Sequence, residues 1–301
     1  MGTPTLALDI GGTKIAAGLV GSDGSLLHHA QRPTPHGEAD AVWSVAEGLI
    51  RDALSAADGK VSGAGIACAG PIDLSDGTVS PINIAGWQRF PIVERVRSAS
   101  GLPTRLGGDG LCMALGEWWQ GAGRGADFML GMVVSTGIGG GLVLDGKPYD
   151  GRTGNAGHVG HVVVEPDGAP CTCGGHGCAE TVASGPHLAK WAHDNGWTAP
   201  ADADARALAD AANQGDPVAL QAFRRGATAV AATIASVAAV CDLDLVVVGG
   251  GVAKAGGLLF DPLREALVGY AGLAFLRDLR VVPAELGGDA GLVGAAALFN
   301  A

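Results

Sequence analysis

The chain has 301 residues, of which 51 are glycine and 15 proline, with 48% hydrophobic residues and a net charge of −11. The glycines follow no Gly-X-Y period and the apolar fraction is high, so collagen and low-complexity disorder are excluded. The acidic balance, with a pI of about 5.0, offers no basic field for nucleic acid or an anionic membrane, while a small phosphorylated ligand held by backbone amides stays open.

Mean hydropathy is +0.29. Asp242 and Asp244 interrupt the most apolar stretch, 226–248, so a buried helix followed by a strand is expected there rather than a membrane span. No charged segment followed by an apolar core opens the chain, so a cytoplasmic location is expected. In chain order, Thr5–Leu8 reads as a buried strand, Gly11-Gly12 as a turn, and Lys14–Val20 as a second strand. Ser22-Asp23-Gly24 marks a turn into Leu26–Gln31. Val42, Val45, Leu49, Ile50 and Leu54 give 39–57 a helical period. Val61–Cys68 and Pro103–Leu106 read as strands, with a short helix over Phe90–Ala99 between them. The pattern then restarts: a helix over Leu111–Gln120, strands over Phe128–Ser135, Gly140–Leu144 and His161–Glu165, and mostly helix from Pro186 to Val240. Leu243–Val248 and Arg280–Val282 are late strands, and Gly291–Phe299 is a closing helix. The alternation implies α/β. Leu6–Thr13 and Met132–Gly139 are alike, each an apolar strand running into a Gly/Thr turn and a second strand. Two related halves about a cleft are therefore expected, with a border near Gly107.

Asp9-Ile-Gly-Gly-Thr-Lys14 ends a strand in a carboxylate, two glycines and a hydroxyl. Gly11 and Gly12 allow backbone N–H groups to converge on phosphate, Thr13 adds a donor, and Asp9 offers the hard oxygen that Mg²⁺ prefers. A plain hairpin turn is the alternative. Ser135-Thr-Gly-Ile-Gly-Gly-Gly141 is a second such element, and together the two favour a nucleotide clasped from both sides. The triglycine Gly249–Gly251 opens a strand end with backbone flat enough to lie on a nucleoside, or is an ordinary βα turn. His161, Cys171, Cys173 and Cys178 form a Cys₃His set suited to a closed, structural Zn²⁺ shell; three unconnected free cysteines are the alternative. Asp109 sits where a helix N-cap is expected, and alternatively serves as a general base in phosphoryl transfer. The run Gly154–His161, followed by Glu180, sets polar side chains in a glycine-rich frame suited to a hydroxyl-rich ligand; a loop histidine and a solvated glutamate are the alternatives for His158 and Glu180.

Together these motifs resemble the ROK family of repressors and sugar kinases, from Asp9 to the closing segment 287–296; 154–161, 171–180 and Ala183-Ser-Gly185 look like its signature. The resemblance implies an actin-like, hexokinase-type α/β fold of two domains, 1–107 with 288–301 and 108–287, the latter bearing a zinc knuckle over 161–178. It implies ATP:sugar 6-phosphotransfer with ATP, Mg²⁺ and structural Zn²⁺, and a homodimer. Asp9, Gly11, Gly12, Thr13 and Lys14, with Thr136, Gly137, Gly139 and Gly140, match the phosphate loops; Gly249, Gly250 and Gly251 match the adenosine region. Asp109 matches the catalytic aspartate, His161, Cys171, Cys173 and Cys178 the zinc ligands, and Asn83, Asp109, His158, His161 and Glu180 the sugar contacts. Two departures stand out. Gly108 replaces the usual Asn before the catalytic aspartate, and His158 replaces the usual Glu, a form similar to bacterial N-acetylmannosamine kinases. A neutral imidazole donates as well as accepts, so an N-acetylhexosamine such as N-acetylmannosamine or N-acetylglucosamine is expected, with glucose the alternative. A sugar-responsive repressor would need a DNA-binding segment ahead of Asp9, where no room is expected; a sugar-binding protein that has lost catalysis is the third reading.

Overall fold

The computed structural model describes residues 2–300. An apolar run forms β1 (Thr5–Ile10), which turns through Gly11–Thr13 into β2 (Lys14–Val20) and then β3 (Leu26–Pro33). Next comes α1 (Ala39–Ser55), burying Val42, Trp43, Ala46, Leu49, Ile50 and Ala53 at helical spacing. Then follow β4 (Ala64–Cys68), the short pair β5 (Ile72–Asp73) and β6 (Thr78–Val79), α2 (Ile92–Ser100), β7 (Thr104–Gly108) and α3 (Asp109–Gln120). The order begins again with β8 (Phe128–Val134), β9 (Ile138–Leu144) and β10 (Lys147–Tyr149). Four helices follow: α4 (Glu180–Ala183), α5 (Gly185–Asp194), α6 (Ala205–Asn213) and the alanine-rich α7 (Pro217–Cys241). The chain closes with β11 (Leu245–Gly249), α8 (Gly257–Tyr270), β12 (Arg280–Pro283) and α9 (Ala290–Asn300).

The two large sheets share one topology, β3-β2-β1-β4-β7 and β10-β9-β8-β11-β12. In each, a strand meander is extended by two strands parallel to its first strand. The likeness of Leu6–Thr13 to Met132–Gly139 has this structural basis. By contact the chain divides into Met1–Asp127, Gly141–Gly157 and Glu285–Ala301 as one unit, and Phe128–Gly140 with His158–Ala284 as the other. The border expected at Gly107 thus falls at Asp127, because α3 packs against α9. The strand expected over 161–165 is a 3₁₀ turn, Val159–His161, followed by bent chain in which the Val164 and Glu165 N–H groups both donate to the Gly177 carbonyl. In the second unit α7 lies among α4, α5, α6 and α8. Among the described residues no helix is long and apolar enough to cross a membrane.

In the first unit, strand alternation puts Leu6, Leu8 and Ile10 on the face that packs with Val42, Leu49 and Ile50 of α1. The opposite face carries Ala7, Ala16 and Ala67 and lies under Leu292, Ala295 and Ala296 of α9. Small residues on both sides let backbone meet backbone. A Cβ on Gly65 would lie 1.9 Å from the Ala295 oxygen, and one on Gly294 would lie 1.5 Å from the Cys112 oxygen in α3. Asp9 shares the parity of Ala7, so its carboxylate meets the first turn of α9, where a Cβ on Gly291 would lie 2.6 Å from Oδ2. Burial there pushes the Asp9 carboxyl up to about 6; Lys14 opposes the shift and Asp109 adds to it.

Two outcomes follow from this packing. Gly294→Ala should lose about 3 kcal/mol of stability in urea unfolding, because the clash is with rigid backbone; an unchanged midpoint would contradict the close approach. Asp9 binds its proton more tightly folded than unfolded, so without nucleotide or divalent metal its contribution to stability falls as pH rises from about 4 to about 6. Asp9→Asn should therefore become more stable than the parent across that window, by about 2–3 kcal/mol at its upper end. A difference between the two proteins that does not vary with pH would refute the burial.

Candidate active site

In the first unit, the parallel pairings β1–β4 and β4–β7 align Ile10 with Cys68 and Cys68 with Gly108. Asp9 and Asp109 therefore lie at about one level, at the carboxyl ends of β1 and β7 on either side of β4, the side of an α/β sheet that receives ligands. Gly108, extended at φ −63° and ψ 149°, is the N-cap of α3. Asp109 is the first helical residue, not the cap, and its Oδ1 accepts from the Gly110 N–H at 2.7 Å. A Cβ on Gly108 would meet nothing within 4 Å, so a side chain at that position would have room.

The hairpin loop Gly11–Thr13 begins two residues past Asp9. The Gly11 N–H donates to the Lys14 oxygen at 3.0 Å. Neither Gly11 nor Gly12 has positive φ. At Gly12 the need for glycine is one of approach, since a Cβ there would lie 2.6 Å from the Asn83 side chain. Asn83 itself is exposed and lies against the loop. Lys14 adjoins Gly288, and Thr13 is exposed at the loop tip.

Two residues outside the motifs, Thr34 and Glu117, and Asn155 within the run Gly154–His161 hold this unit's loops. The Thr34 hydroxyl donates to the Gly11 oxygen at 2.7 Å, and its N–H donates to the Thr13 oxygen at 3.0 Å. Glu117 is fully buried in α3; its Oε2 accepts from the N–H groups of Ala122 and Glu285, and its Oε1 from that of Leu286 at 2.8 Å. It thereby fixes the chain just ahead of Gly288 and Gly291. Asn155 bonds both backbone groups of Ile72, at 3.0 and 2.8 Å. The available signal was a polar residue in an otherwise apolar run at Glu117, and an Asn in a glycine-rich run at 155.

In the second unit, the turn Ser135–Gly137 joins β8 to β9, with Thr136 exposed at its tip. The Gly185 N–H donates to the Ser135 oxygen at 2.7 Å. Glu180 is not simply a solvated first-turn residue. Its Oε2 accepts from the Ile138 N–H at 2.8 Å, and a Cβ on Gly137 would lie 2.7 Å from that oxygen. A Cβ on Gly140 would meet the Gly131 oxygen at 2.6 Å, whereas Gly139 has open space. Of the triglycine, Gly250 has φ +96° and packs on the Val134 oxygen, while Gly251 adjoins Ser135 Oγ and Gly249 the Ala284 side chain. A cavity of about 1000 Å³ opens beside these loops, lined by Thr136, His193, Phe223, Gly251 and Lys254 among others.

His161, Cys171, Cys173 and Cys178 converge, with their ligand atoms all within 4.8 Å of one another. His161 Nδ1 is 3.7 Å from Cys171 Sγ, and Cys173 Sγ is 3.8 Å from Cys178 Sγ. A tetrahedral shell with Zn–S bonds of ~2.3 Å has edges of ~3.8 Å, so this donor set fits the ion. The knuckle is held by the Cys171 N–H to the Gly175 oxygen and the Gly174 N–H to the Cys171 oxygen. Gly174 and Gly177 take φ of +91° and +68°, and a Cβ on Gly177 would lie 1.7 Å from the Glu165 oxygen. Arg225 of α7 anchors the other end through Glu165 Oε1 at 2.9 Å. With Nδ1 directed at sulfur, His161 offers Nε2 for any further contact. His158 is exposed, its ring stacked at 6.1 Å from that of His161 and outside the ligand group.

Residues 5–301 match the model of the ROK family. Over 98% of its length the chain is 37% identical to a glucokinase of Thermotoga maritima, covering 96% of that protein. Over 98% of its length it is also 38% identical to an N-acetylmannosamine kinase of Escherichia coli, covering 97% of it. Among solved structures it is similar to a ROK family glucokinase from Streptomyces griseus in complex with glucose and AMPPNP, with a TM-score of 0.83, 36% identity and 98% of each chain covered. Nearly the whole length is matched, and the doubled sheet order, a three-stranded meander extended by two parallel strands, belongs to the actin-like, hexokinase-type α/β class. On these grounds the chain belongs to the ROK family.

Proposed function

We propose that this ROK-family protein is a sugar kinase that transfers the γ-phosphoryl group of ATP to the 6-hydroxyl of a hexose or N-acetylhexosamine. The observation that carries the reading is the placement of Asp109 at the start of α3, level with the strand end that bears Asp9 and the Gly11–Thr13 loop. In the reaction Asp109 accepts the proton of the sugar hydroxyl as its oxygen bonds to the γ-phosphorus. The bond from that phosphorus to the β–γ bridging oxygen breaks and ADP leaves. The loop amides at Gly11, Gly12 and Thr13, the Lys14 ammonium, and the second turn at Thr136, Gly137, Gly139 and Gly140 orient the phosphate chain. Asp9 supplies a hard oxygen suited to Mg²⁺, which when bound neutralises phosphate charge. The cavity beside Thr136 and Gly251 suits the nucleoside in size and in its mixed lining.

On the sugar side, Asn83, His158, His161 and Glu180 are the contacts we assign. A Cys₃His-bound Zn²⁺ would hold His161 rigidly and leave His158 beside it as a group that both donates and accepts. An N-acetylhexosamine, either N-acetylmannosamine or N-acetylglucosamine, fits that pair; glucose is the alternative, and relatives of both kinds are about equally similar. A coupled ADP-release assay over hexoses and N-acetylhexosamines separates them. Measurable sugar affinity without turnover on any member would favour a sugar-binding protein instead.

Asp109→Asn should lower kcat by at least about 10³-fold while nucleotide affinity changes less than threefold, since removal of a positioned base costs turnover rather than ground-state binding. A normal kcat in this variant would remove Asp109 from the mechanism. Elemental analysis of the purified protein should give about one zinc per chain, and Cys178→Ser should lose that metal and lower the melting temperature. Protein free of zinc yet fully active would end the knuckle assignment.

A further inference from the structure

We propose that Thr34 is a positioning residue for phosphoryl transfer: it sets the orientation of the Gly12 N–H in the Gly11–Thr13 loop. The inference rests on the kinase reading above. Thr34 follows the end of β3 and is 6% exposed, although polar. Both of its hydrogen-bond donors are spent on the loop, the hydroxyl on the Gly11 carbonyl at 2.7 Å and the N–H on the Thr13 carbonyl at 3.0 Å. A trans peptide is planar, with C=O and N–H pointing opposite ways. Holding the Gly11 carbonyl toward Thr34 therefore turns the Gly12 N–H away from it. Glycine has no side chain with which to fix its own peptide plane, and a Gly–Gly pair flips at little steric cost. Within the turn the bond from the Gly11 N–H to the Lys14 oxygen closes the hairpin but does not constrain the Gly11–Gly12 plane. Asn83 blocks one side of Gly12, at 2.6 Å from where a Cβ would stand, and so limits displacement of the loop without setting the plane. The Thr34 hydroxyl does set it. Gly12 lies three residues past Asp9, so its donor orientation governs how phosphate oxygens are met next to that carboxylate.

The test compares Thr34→Val, which removes the hydroxyl but keeps the shape and the backbone N–H, with Thr34→Ser, which restores the hydroxyl. Steady-state kinetics on the full chain would be measured with ATP and with sugar varied separately, alongside calorimetric ATP binding and melting temperature. Thr34→Val should lower kcat/KM for ATP by about tenfold to hundredfold, less than the ~10²–10³ for removing such a donor outright because the Gly12 N–H is kept and only its orientation is released, and leave the KM for sugar within twofold. Thr34→Ser should recover most of the loss, with the melting temperatures of the two variants alike. Wild-type kcat/KM for ATP in Thr34→Val would overturn the assignment. A KM for sugar raised as much as kcat/KM for ATP is lowered, or no recovery in Thr34→Ser, would also overturn it by making Thr34 a packing residue. If the parent protein neither binds ATP nor phosphorylates any sugar, the kinase reading falls and the inference falls with it.

Discussion

Backbone-to-backbone contact between α9 and the small-residue face of its sheet is the constraint from which the first unit takes its form. Ala7, Ala16 and Ala67 leave that face shallow, and Gly65, Gly291 and Gly294 remove the last side chains between helix and sheet or helix and α3. Such contacts bring many atoms to van der Waals distance and leave no slack for added volume. They also decide the environment of Asp9, which shares the parity of Ala7 and so meets the first turn of α9. A carboxylate with a weakened preference for ionisation, next to a lysine and a second carboxylate, is poised to gain from a cation or a donor.

A second constraint is the level at which the parallel strands stop. Ile10, Cys68 and Gly108 are neighbours through two ladders, so residues remote in sequence are delivered to one edge. The loops at that edge are then held by groups from elsewhere: Thr34 under the first hairpin, and Glu117 under the segment that enters α9. The second unit repeats the device with different residues. Glu180 accepts from the turn between β8 and β9, and Gly250 closes on the end of β8. In both units an exposed threonine stands at the tip of a braced turn.

The abundance of glycine resolves into distinct physical demands. At Gly12, Gly65, Gly137 and Gly294 another group occupies the place of a Cβ, and φ is ordinary. At Gly174, Gly177 and Gly250 the backbone is left-handed, and the knuckle and the triglycine turn depend on it. Gly108 meets neither demand, since a side chain there would have room. It leaves no side-chain amide at the position before Asp109, whose carboxylate accepts from the Gly110 N–H.

Local pattern determined much of this protein. Apolar runs and turn residues located the β1 and β2 hairpin, α1, β8 and α9, and the likeness of Leu6–Thr13 to Met132–Gly139 anticipated the doubled sheet order. The Cys₃His cluster was legible because its four ligands lie within eighteen residues, so that spacing alone constrains geometry. The tertiary structure decided what depends on distant partners. Thr34 bonds a residue 23 positions away, Asn155 one 83 away and Glu117 one 168 away, and no local period reports such pairs. The same holds for 161–165, whose apolar run reads as a strand but whose Val164 and Glu165 amides donate to the Gly177 carbonyl beside the knuckle. Periodicity records which side chains avoid water; it does not record where a hydrogen-bonding group finds its partner, and that is settled only when the chain has folded.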